Sequence, residues 1–368
     1  MTQTLLKTNN PIPEIEAILT RHGARRPMLV CGKTSFRSLA PYAEYKRLEE
    51  LAAVVYSDFS PNPQYSEVVR GVSLYREAEC DAIIAVGGGS AMDTAKLIRA
   101  YAPMAGADFL CTPFLPLSHP MIAIPTTAGS GSESTRFAVI YHNEDKHSLA
   151  DPCLLPDYAV LDERTLYTLP DYQKRCTLSD ALSQAIESYW ARAATDESRA
   201  LAKEAMILMI KNYRAYLAGD EASASRVMHA SNLSGQAINI TLTTAAHAMS
   251  YQLTGVYNVP HGRAVFVCLP FIFAYMLTAP DLTEATSAIL SEIAAALGYE
   301  TSEEAVRALI ALNAELFSHV PISPDPARIP AFAKNMNPDR LKNTPVSLPT
   351  PVIEGIYQKA FAALSAQK

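Results

Sequence analysis

The chain has no close cysteine pair, no block of like charge and no apolar run long enough to cross a bilayer. Each absence removes a class of protein. Its cysteines, Cys31, Cys80, Cys111, Cys153, Cys176 and Cys268, are scattered, and no two stand at the spacing of a zinc knuckle or a redox motif. They read as small buried hydrophobes in a reducing compartment, so a cytoplasmic location is expected. A formal net charge of -6 with no charged block argues against nucleic acid and anionic membrane as partners and leaves small molecules. The most apolar stretch, Ala264 to Ala279, is shorter than a bilayer span, is interrupted by Pro270 and is expected to be a core helix. Met1 to Pro11 is polar and lacks the apolar core a signal peptide requires. There is no internal repeat.

What is present is enough chain, 368 residues, for two domains that each bury a core. Up to about residue 162, short β-rich runs alternate with amphipathic stretches. Met28-Leu29-Val30-Cys31, Val54-Val55-Tyr56, Ala82-Ile83-Ile84-Ala85-Val86 and Met121-Ile122-Ala123-Ile124 are separated by helical patterns. That rhythm predicts a Rossmann-like α/β domain, a parallel sheet with helical crossovers, over residues 1–162. From residue 163 to 368 the chain is Ala-rich with apolar residues at helical spacing through Ala181–Tyr189, Ala200–Leu217 and Arg226–Leu253. This half is expected to be all helical, with a Pro-rich irregular stretch from Val320 to Pro351 before a final helix.

Two loops in the first half carry chemistry. Gly87-Gly88-Gly89-Ser90 follows a buried strand and opens a helix on which Ser90 and Asp93 form a capping-box pattern. Glycines there let the backbone approach a pyrophosphate, held by free N–H groups and the positive end of the helix. The run is neither GxGxxG nor a Walker loop, because Lys96 comes a helical turn too late. Pro125-Thr126-Thr127-Ala128-Gly129-Ser130-Gly131-Ser132-Glu133 ends the next strand with a second hydroxyl- and glycine-rich loop. Two such loops at neighbouring strand ends are where an open α/β sheet binds a dinucleotide.

In the second half, an acidic helix, Asp180-Ala181-Leu182-Ser183-Gln184-Ala185-Ile186-Glu187, precedes His247 and His261. One carboxylate on a helix face with two imidazoles from later segments is what a divalent metal needs to stay open on one side and polarise a substrate oxygen.

These motifs, together with Lys96 and Pro260-His261-Gly262, occur in the order and spacing of the iron-containing (group III) alcohol dehydrogenases, which the chain resembles over about residues 25 to 275. The resemblance implies a dehydroquinate synthase-like architecture and an NAD(P)-dependent alcohol dehydrogenase or aldehyde reductase with one divalent metal, Fe, Zn or Ni. It places Gly87, Gly88, Gly89, Ser90 and Asp93 at the pyrophosphate turn, Thr126, Thr127 and Ser130 on the rest of the cofactor, and Lys146 near the nicotinamide ribose. Asp180, His247 and His261 match three metal ligands. Gln184 stands where the family usually has a fourth, a histidine one turn after the aspartate. Tyr251, one turn after His247, is the proton-relay candidate. A small-molecule aldehyde as substrate and a homodimer are also expected.

Within that family, Ser57-Asp58-Phe59-Ser60-Pro61-Asn62-Pro63, Asp180 to Trp190 and Thr243 to Tyr251 look most like the phosphonoacetaldehyde reductase (hydroxyethylphosphonate dehydrogenase) branch of phosphonate biosynthesis. Arg136 and Arg263 are the expected phosphonate contacts; no Lys or Arg occurs from Met228 to Gly262. Alternatives are reduction of another small aldehyde or polyol, or a metal-free non-catalytic relative. The turn after the first β-run, Gly32, Lys33 and Thr34, lacks the acidic residue that NAD-specific relatives tend to place there, which predicts NADP(H) in preference to NAD(H).

Overall fold

Met28 to Cys31 and Ala82 to Val86 are apolar without alternation and buried on both faces, the signature of parallel strands covered by helices on each side. The computed structural model describes residues 3–104, 109–110, 112–115, 119–143 and 145–366. It divides into two compact units, residues 1–170 and 171–368. The change of pattern at residue 163 precedes this division by one short helical turn, Glu163–Leu166, which stays with the sheet because Thr165 Oγ1 donates to the Pro125 carbonyl.

The first unit contains strands β1 (Thr4–Lys7), β2 (Pro27–Cys31), β3 (Val54–Tyr56), β4 (Ala82–Gly87), β5 (Met121–Pro125), β6 (Phe137–His142), β7 (Asp145–Ala150) and β8 (Tyr158–Leu161). Its helices are α1 (Pro11–His22), α2 (Lys33–Arg37), α3 (Ala43–Leu51), α4 (Tyr65–Glu77) and α5 (Gly89–Tyr101). Six strands form a parallel sheet in the order β1-β8-β5-β4-β2-β3. Alternate residues divide between its faces. Met28, Val30, Ile83 and Ala85 pack with α4 and α5, whereas Leu29, Cys31, Ile84 and Val86 pack with α1 and α3. The edge strand β1 and the separate antiparallel hairpin β6–β7 were not expected. Half-exposed and polar, they carry a weak periodic signal.

In the second unit the helices are α6 (Asp171–Trp190), α7 (Asp196–Leu217), α8 (Glu221–Thr241), α9 (Ala245–Tyr257), α10 (His261–Met276), α11 (Glu284–Ala296), α12 (Ser302–Phe317), α13 (Ile329–Lys334), α14 (Pro338–Lys342) and α15 (Thr350–Ser365). The run expected as one helix from Arg226 to Leu253 is two. Leu242 takes a positive φ of 62° after α8 and Thr244 starts α9, a break that puts His247 in the first turn of a helix. α10 is the expected core helix, with Pro270 inside it. The stretch expected to be irregular from Val320 to Pro351 contains α13 and α14, each opened by a proline in its first turn. Cys31, Cys80, Cys153, Cys176 and Cys268 are free and buried, as expected of small hydrophobes, and Cys111 lies outside the described residues. Among the described residues no helix is long and apolar enough to cross a membrane.

Candidate active site

From β2 the chain passes to β3 on one side and returns to β4 on the other. The turns at Gly32 and Gly87 therefore flank the point where strand order reverses, where an open α/β sheet leaves a crevice for a ligand. Gly88 caps α5 and Gly89 opens it, with no acidic residue in the first turn, so the unpaired N–H groups there favour an anion. A Cβ on Gly88 would stand 3.3 Å from Thr127 Cγ2, and one on Gly89 would stand 3.3 Å from Ser130 Oγ. Thr126 N donates to the Gly87 carbonyl over 2.9 Å. The two loops thus lie close together, and a side chain at Gly88 or Gly89 would require Thr127 or Ser130 to shift by a few tenths of an ångström. Thr126 Oγ1 is buried without a hydrogen-bond partner among the described residues, a polar atom placed for a ligand. This cradle fits a dinucleotide pyrophosphate.

Asp93 requires correction. No capping box forms, because α5 starts on glycine and Ser90 Oγ donates instead to the Pro61 carbonyl, tying in the 57–63 segment. The buried Asp93 carboxylate accepts from Ser132 Oγ at 2.8 Å and Val139 N at 3.0 Å. Lys96 Nζ, also buried, donates to Ser132 Oγ (2.9 Å), the Thr135 carbonyl (2.9 Å) and the Phe137 carbonyl (2.7 Å). Asp93 and Lys96 clamp the second loop. Lys146, opposite Tyr141 on the β6–β7 hairpin, lies close enough to Asp93 to attract its charge. At the Gly32 turn, Lys33 Nζ is 3.0 Å from Asp58 Oδ1, a carboxylate supplied by the segment after β3 that sequence reasoning did not place there.

In the second unit α6, α9 and α10 bring Asp180, His247 and His261 together, their potential ligand atoms all within 4.8 Å of one another. Asp180 Oδ1 lies 3.5 Å from His247 Nε2 and 3.8 Å from His261 Nε2, too far for hydrogen bonds. Asp180 Oδ1 and His247 Nε2 are both buried and have no hydrogen-bond partner among the described residues. A cation seated between the Asp180 carboxylate and a neutral His247 would engage both atoms, so the group fits a divalent metal. Asp180 and His247 are shielded while the His261 side chain is 41% exposed, which leaves the group open on the His261 side. Gly262 lets α10 approach this closely: a Cβ there would overlap the Cys176 carbonyl and stand 2.9 Å from Asp180 N.

The residue that sequence reasoning left without a role is Glu187. Two turns after Asp180 on the same face of α6, its buried carboxylate accepts from His247 Nδ1, from Thr244 Oγ1 (2.6 Å), and from the backbone N–H groups of Thr244 (3.1 Å) and Ala246 (3.0 Å). One side chain thereby caps α9 and holds the His247 ring so that Nε2 is presented to Asp180. Burial alone favours a neutral imidazole, but Glu187 and Asp180 outweigh it and push the His247 pKa up to about 9. Burial likewise opposes ionisation of Asp180, yet His261, His247 and Gln184 hold its carboxyl below the ordinary value. Ser250 Oγ, 3.4 Å from His261 Nδ1, faces the far side of the second imidazole.

Gln184, expected at the fourth ligand position, lies beside the group. Its Oε1, the atom a metal would use, lies 3.1 Å from Ser234 Oγ, and its side chain lowers the pKa of Asp180 as a hydrogen-bonding partner does. Gln184→His should raise metal affinity about tenfold or more, since an imidazole is the better ligand one turn from Asp180. Competition with a chromophoric chelator measures this, and no gain would mean that position 184 does not face the ion. Arg263, expected as a phosphonate contact, is engaged within the helical unit. It is 2% exposed, with Nη1 donating to Tyr172 Oη (3.2 Å) and its guanidinium over the Phe317 ring. Arg136 belongs to the first unit and lies over Phe137. Tyr251 stacks on His261, ring centroids 6.5 Å apart and planes 17° from parallel.

Comparison with known proteins agrees with this arrangement. Residues 3–163 match the iron-containing alcohol dehydrogenase family model, and residues 176–327 match the C-terminal model of the Fe-containing alcohol dehydrogenase family. The chain is 31% identical over 317 residues to the NAD-dependent methanol dehydrogenase of Bacillus methanolicus, covering 82% of this chain and 81% of that protein. It is 31% identical over 254 residues to the aldehyde-alcohol dehydrogenase of Streptococcus pneumoniae, covering 64% of this chain but only 29% of that longer protein. Its fold matches the sulfoacetaldehyde reductase of Bifidobacterium kashiwanohense, solved with NAD+, at a TM-score of 0.88 and 25% identity, covering 98% of this chain and 97% of that one. With both halves matched and the methanol dehydrogenase aligned over most of its length, the chain belongs to the iron-containing alcohol dehydrogenase family.

Proposed function

We propose that the chain catalyses the NAD(P)H-dependent reduction of an aldehyde to a primary alcohol, with phosphonoacetaldehyde, giving 2-hydroxyethylphosphonate, as the substrate. The observation that carries this reading is the cluster of Asp180, His247 and His261, whose orphaned Oδ1 and Nε2 atoms suit a divalent cation with one open side. The family binds NAD(H) and a divalent metal. When bound, the nicotinamide supplies the hydride and the metal polarises the carbonyl oxygen.

The chain's own residues hold, orient and protonate. Asp180, His247 and His261 hold the ion, and Glu187 keeps His247 Nε2 directed at it. Gly87, Gly88 and Gly89 would admit the pyrophosphate, Ser90, Thr126, Thr127 and Ser130 would line the cofactor's path, and Lys146 would meet the nicotinamide ribose. Tyr251 donates the proton. Burial raises its pKa and keeps the phenol protonated, as a proton donor must be. In sum, aldehyde, NAD(P)H and a proton become alcohol and NAD(P)+.

Sulfoacetaldehyde, the substrate named for the B. kashiwanohense structure, is a two-carbon aldehyde ending in a tetrahedral oxyanion, as phosphonoacetaldehyde is. That likeness supports an anionic aldehyde. Turnover of phosphonoacetaldehyde against acetaldehyde and propionaldehyde, followed by cofactor absorbance, tests the reading. It fails if the neutral aldehydes have kcat/KM values as high as the phosphonate.

The Gly32 turn supports NADPH as the favoured cofactor, because Gly32 brings no charge to repel a 2′-phosphate and Lys33 and Thr34 can donate to one. Asp58 already shares Lys33, which limits the preference to about tenfold, one charge-assisted hydrogen bond. Gly32→Asp should invert it. The added Cβ meets only Ser35 Oγ, at 2.5 Å, and that hydroxyl can rotate away. The ratio of kcat/KM values for NADPH and NADH in the two proteins reads the effect, and an unaltered ratio would show that this turn does not read the ribose.

A further inference from the structure

Trp190, the chain's single tryptophan, is the last residue of α6 and is 1% exposed. It touches the other two helices that carry the candidate metal group. Its indole Nε1 donates to Thr244 Oγ1 over 3.0 Å at the entry to α9, and its ring meets Phe273 of α10 edge-on, centroids 5.7 Å apart and planes at 76°. Thr244 Oγ1 in turn donates to Glu187 Oε1 over 2.6 Å, and Glu187 Oε2 accepts from His247 Nδ1. A hydrogen-bonded chain therefore runs from the indole to an imidazole of the metal group. Thr244 occupies the N-cap position of α9, yet its hydroxyl makes no capping bond to that helix. A threonine there ordinarily caps its own helix through its side-chain oxygen. Here Glu187 takes the Thr244 and Ala246 N–H groups, which leaves the Thr244 hydroxyl for the indole.

We infer that Trp190 is a positioning residue of the metal group, acting on His247 through Thr244 and Glu187, and on α10, the helix of His261, through Phe273. The indole N–H can only donate, so it takes up an acceptor site of the Thr244 hydroxyl and turns the one hydroxyl proton to Glu187. Oε1 is thereby fixed by Thr244, and Oε2 stays with His247 Nδ1. Trp190, Thr244, Glu187 and His247 are all buried, so these bonds are shielded from water and each polarises the next. Asp180 lies on α6 with Trp190 itself. One side chain thus joins the three helices that supply the aspartate and the two histidines. This inference rests on the metal reading of that group and adds to it the residues that hold its helices in place.

The test titrates the full chain, stripped of metal, with zinc(II), an ion without redox chemistry of its own. Competition with a chromophoric chelator gives the zinc affinity, and selectively excited tryptophan emission reports Trp190 alone, because the chain holds no other. In the wild-type protein that emission should change with the same midpoint as zinc binding. Thr244→Val keeps the volume but removes both hydrogen bonds of the hydroxyl, so zinc affinity should fall about tenfold or more and the emission should no longer follow zinc. Thr244→Ser, which restores the hydroxyl, should recover most of the affinity. Trp190→Phe retains a ring against Phe273 but lacks the N–H, and should lose about tenfold in zinc affinity. If that variant does not fold, the two Thr244 variants decide the matter. A lowered Tm with wild-type zinc affinity in Thr244→Val and Trp190→Phe would make Trp190 a core side chain only, and would overturn the inference while leaving the metal group in place. A wild-type protein that binds no zinc would overturn the metal reading and this inference with it.

Discussion

His247→Ala and His261→Ala should each lose the bound metal and lower kcat by about a thousandfold or more, while the dissociation constant of the dinucleotide changes little. Polarisation of a carbonyl by a divalent ion supplies several kcal/mol of transition-state stabilisation, and about 4 kcal/mol corresponds to a thousandfold in rate. The cofactor loops belong to the other compact unit. The two variants should differ in stability. His261 is partly exposed, so its removal is tolerated. His247→Ala leaves the buried Glu187 carboxylate without its imidazole partner, which should cost about 3 kcal/mol or more and lower Tm visibly. Metal content by elemental analysis, single-turnover rates and thermal unfolding read these effects separately. Unchanged kcat in either variant would sink the metal assignment.

Glu187→Gln should weaken metal affinity by about ten- to a hundredfold, the range seen when the partner of a metal-bound histidine is altered. The substitution keeps the volume but replaces a carboxylate that only accepts with an amide whose one carbonyl cannot serve His247 Nδ1, Thr244 and Ala246 together. The first turn of α9 loses part of its cap and His247 loses the group that fixes its ring. Metal affinity and Tm of the metal-free protein should therefore fall together. A chelator titration with a wild-type affinity would show that Glu187 only caps the helix. A wild-type Tm with weakened metal binding would show that it only orients the ring.

The legibility of these features in the sequence followed the length of the pattern that encoded them. The central strands were readable because parallel strands covered on both faces must be continuously apolar, as Ala82 to Val86 are. Strand β1 and the β6–β7 hairpin were not, being short and half-exposed. The break between α8 and α9 was hidden because Leu242-Thr243-Thr244 contains neither glycine nor proline. What stops the helix is a positive φ at Leu242 and a carboxylate arriving from α6. Asp93 misled for a related reason: its spacing from Ser90 satisfied a local capping rule, but its carboxylate was claimed by Ser132 and Val139. The spacing of Glu187 from Asp180 did place both on one face of α6, a legible signal that went unread.

By itself the sequence determined the two-part architecture, the glycine and hydroxyl loops at the strand ends, and the aspartate and two histidines of the candidate metal group. Each is written as a local pattern, either a hydrophobic period or a short motif whose residue types admit few chemistries. Only the tertiary structure decided that Glu187 holds His247, that Ser234 meets the Gln184 carbonyl oxygen, that Asp58 shares Lys33, and that Arg263 is buried. The first three pairings join residues from 25 to 60 positions apart. A hydrogen bond or ion pair between side chains on different elements depends on how their backbones pack, and no periodicity along the chain records that distance.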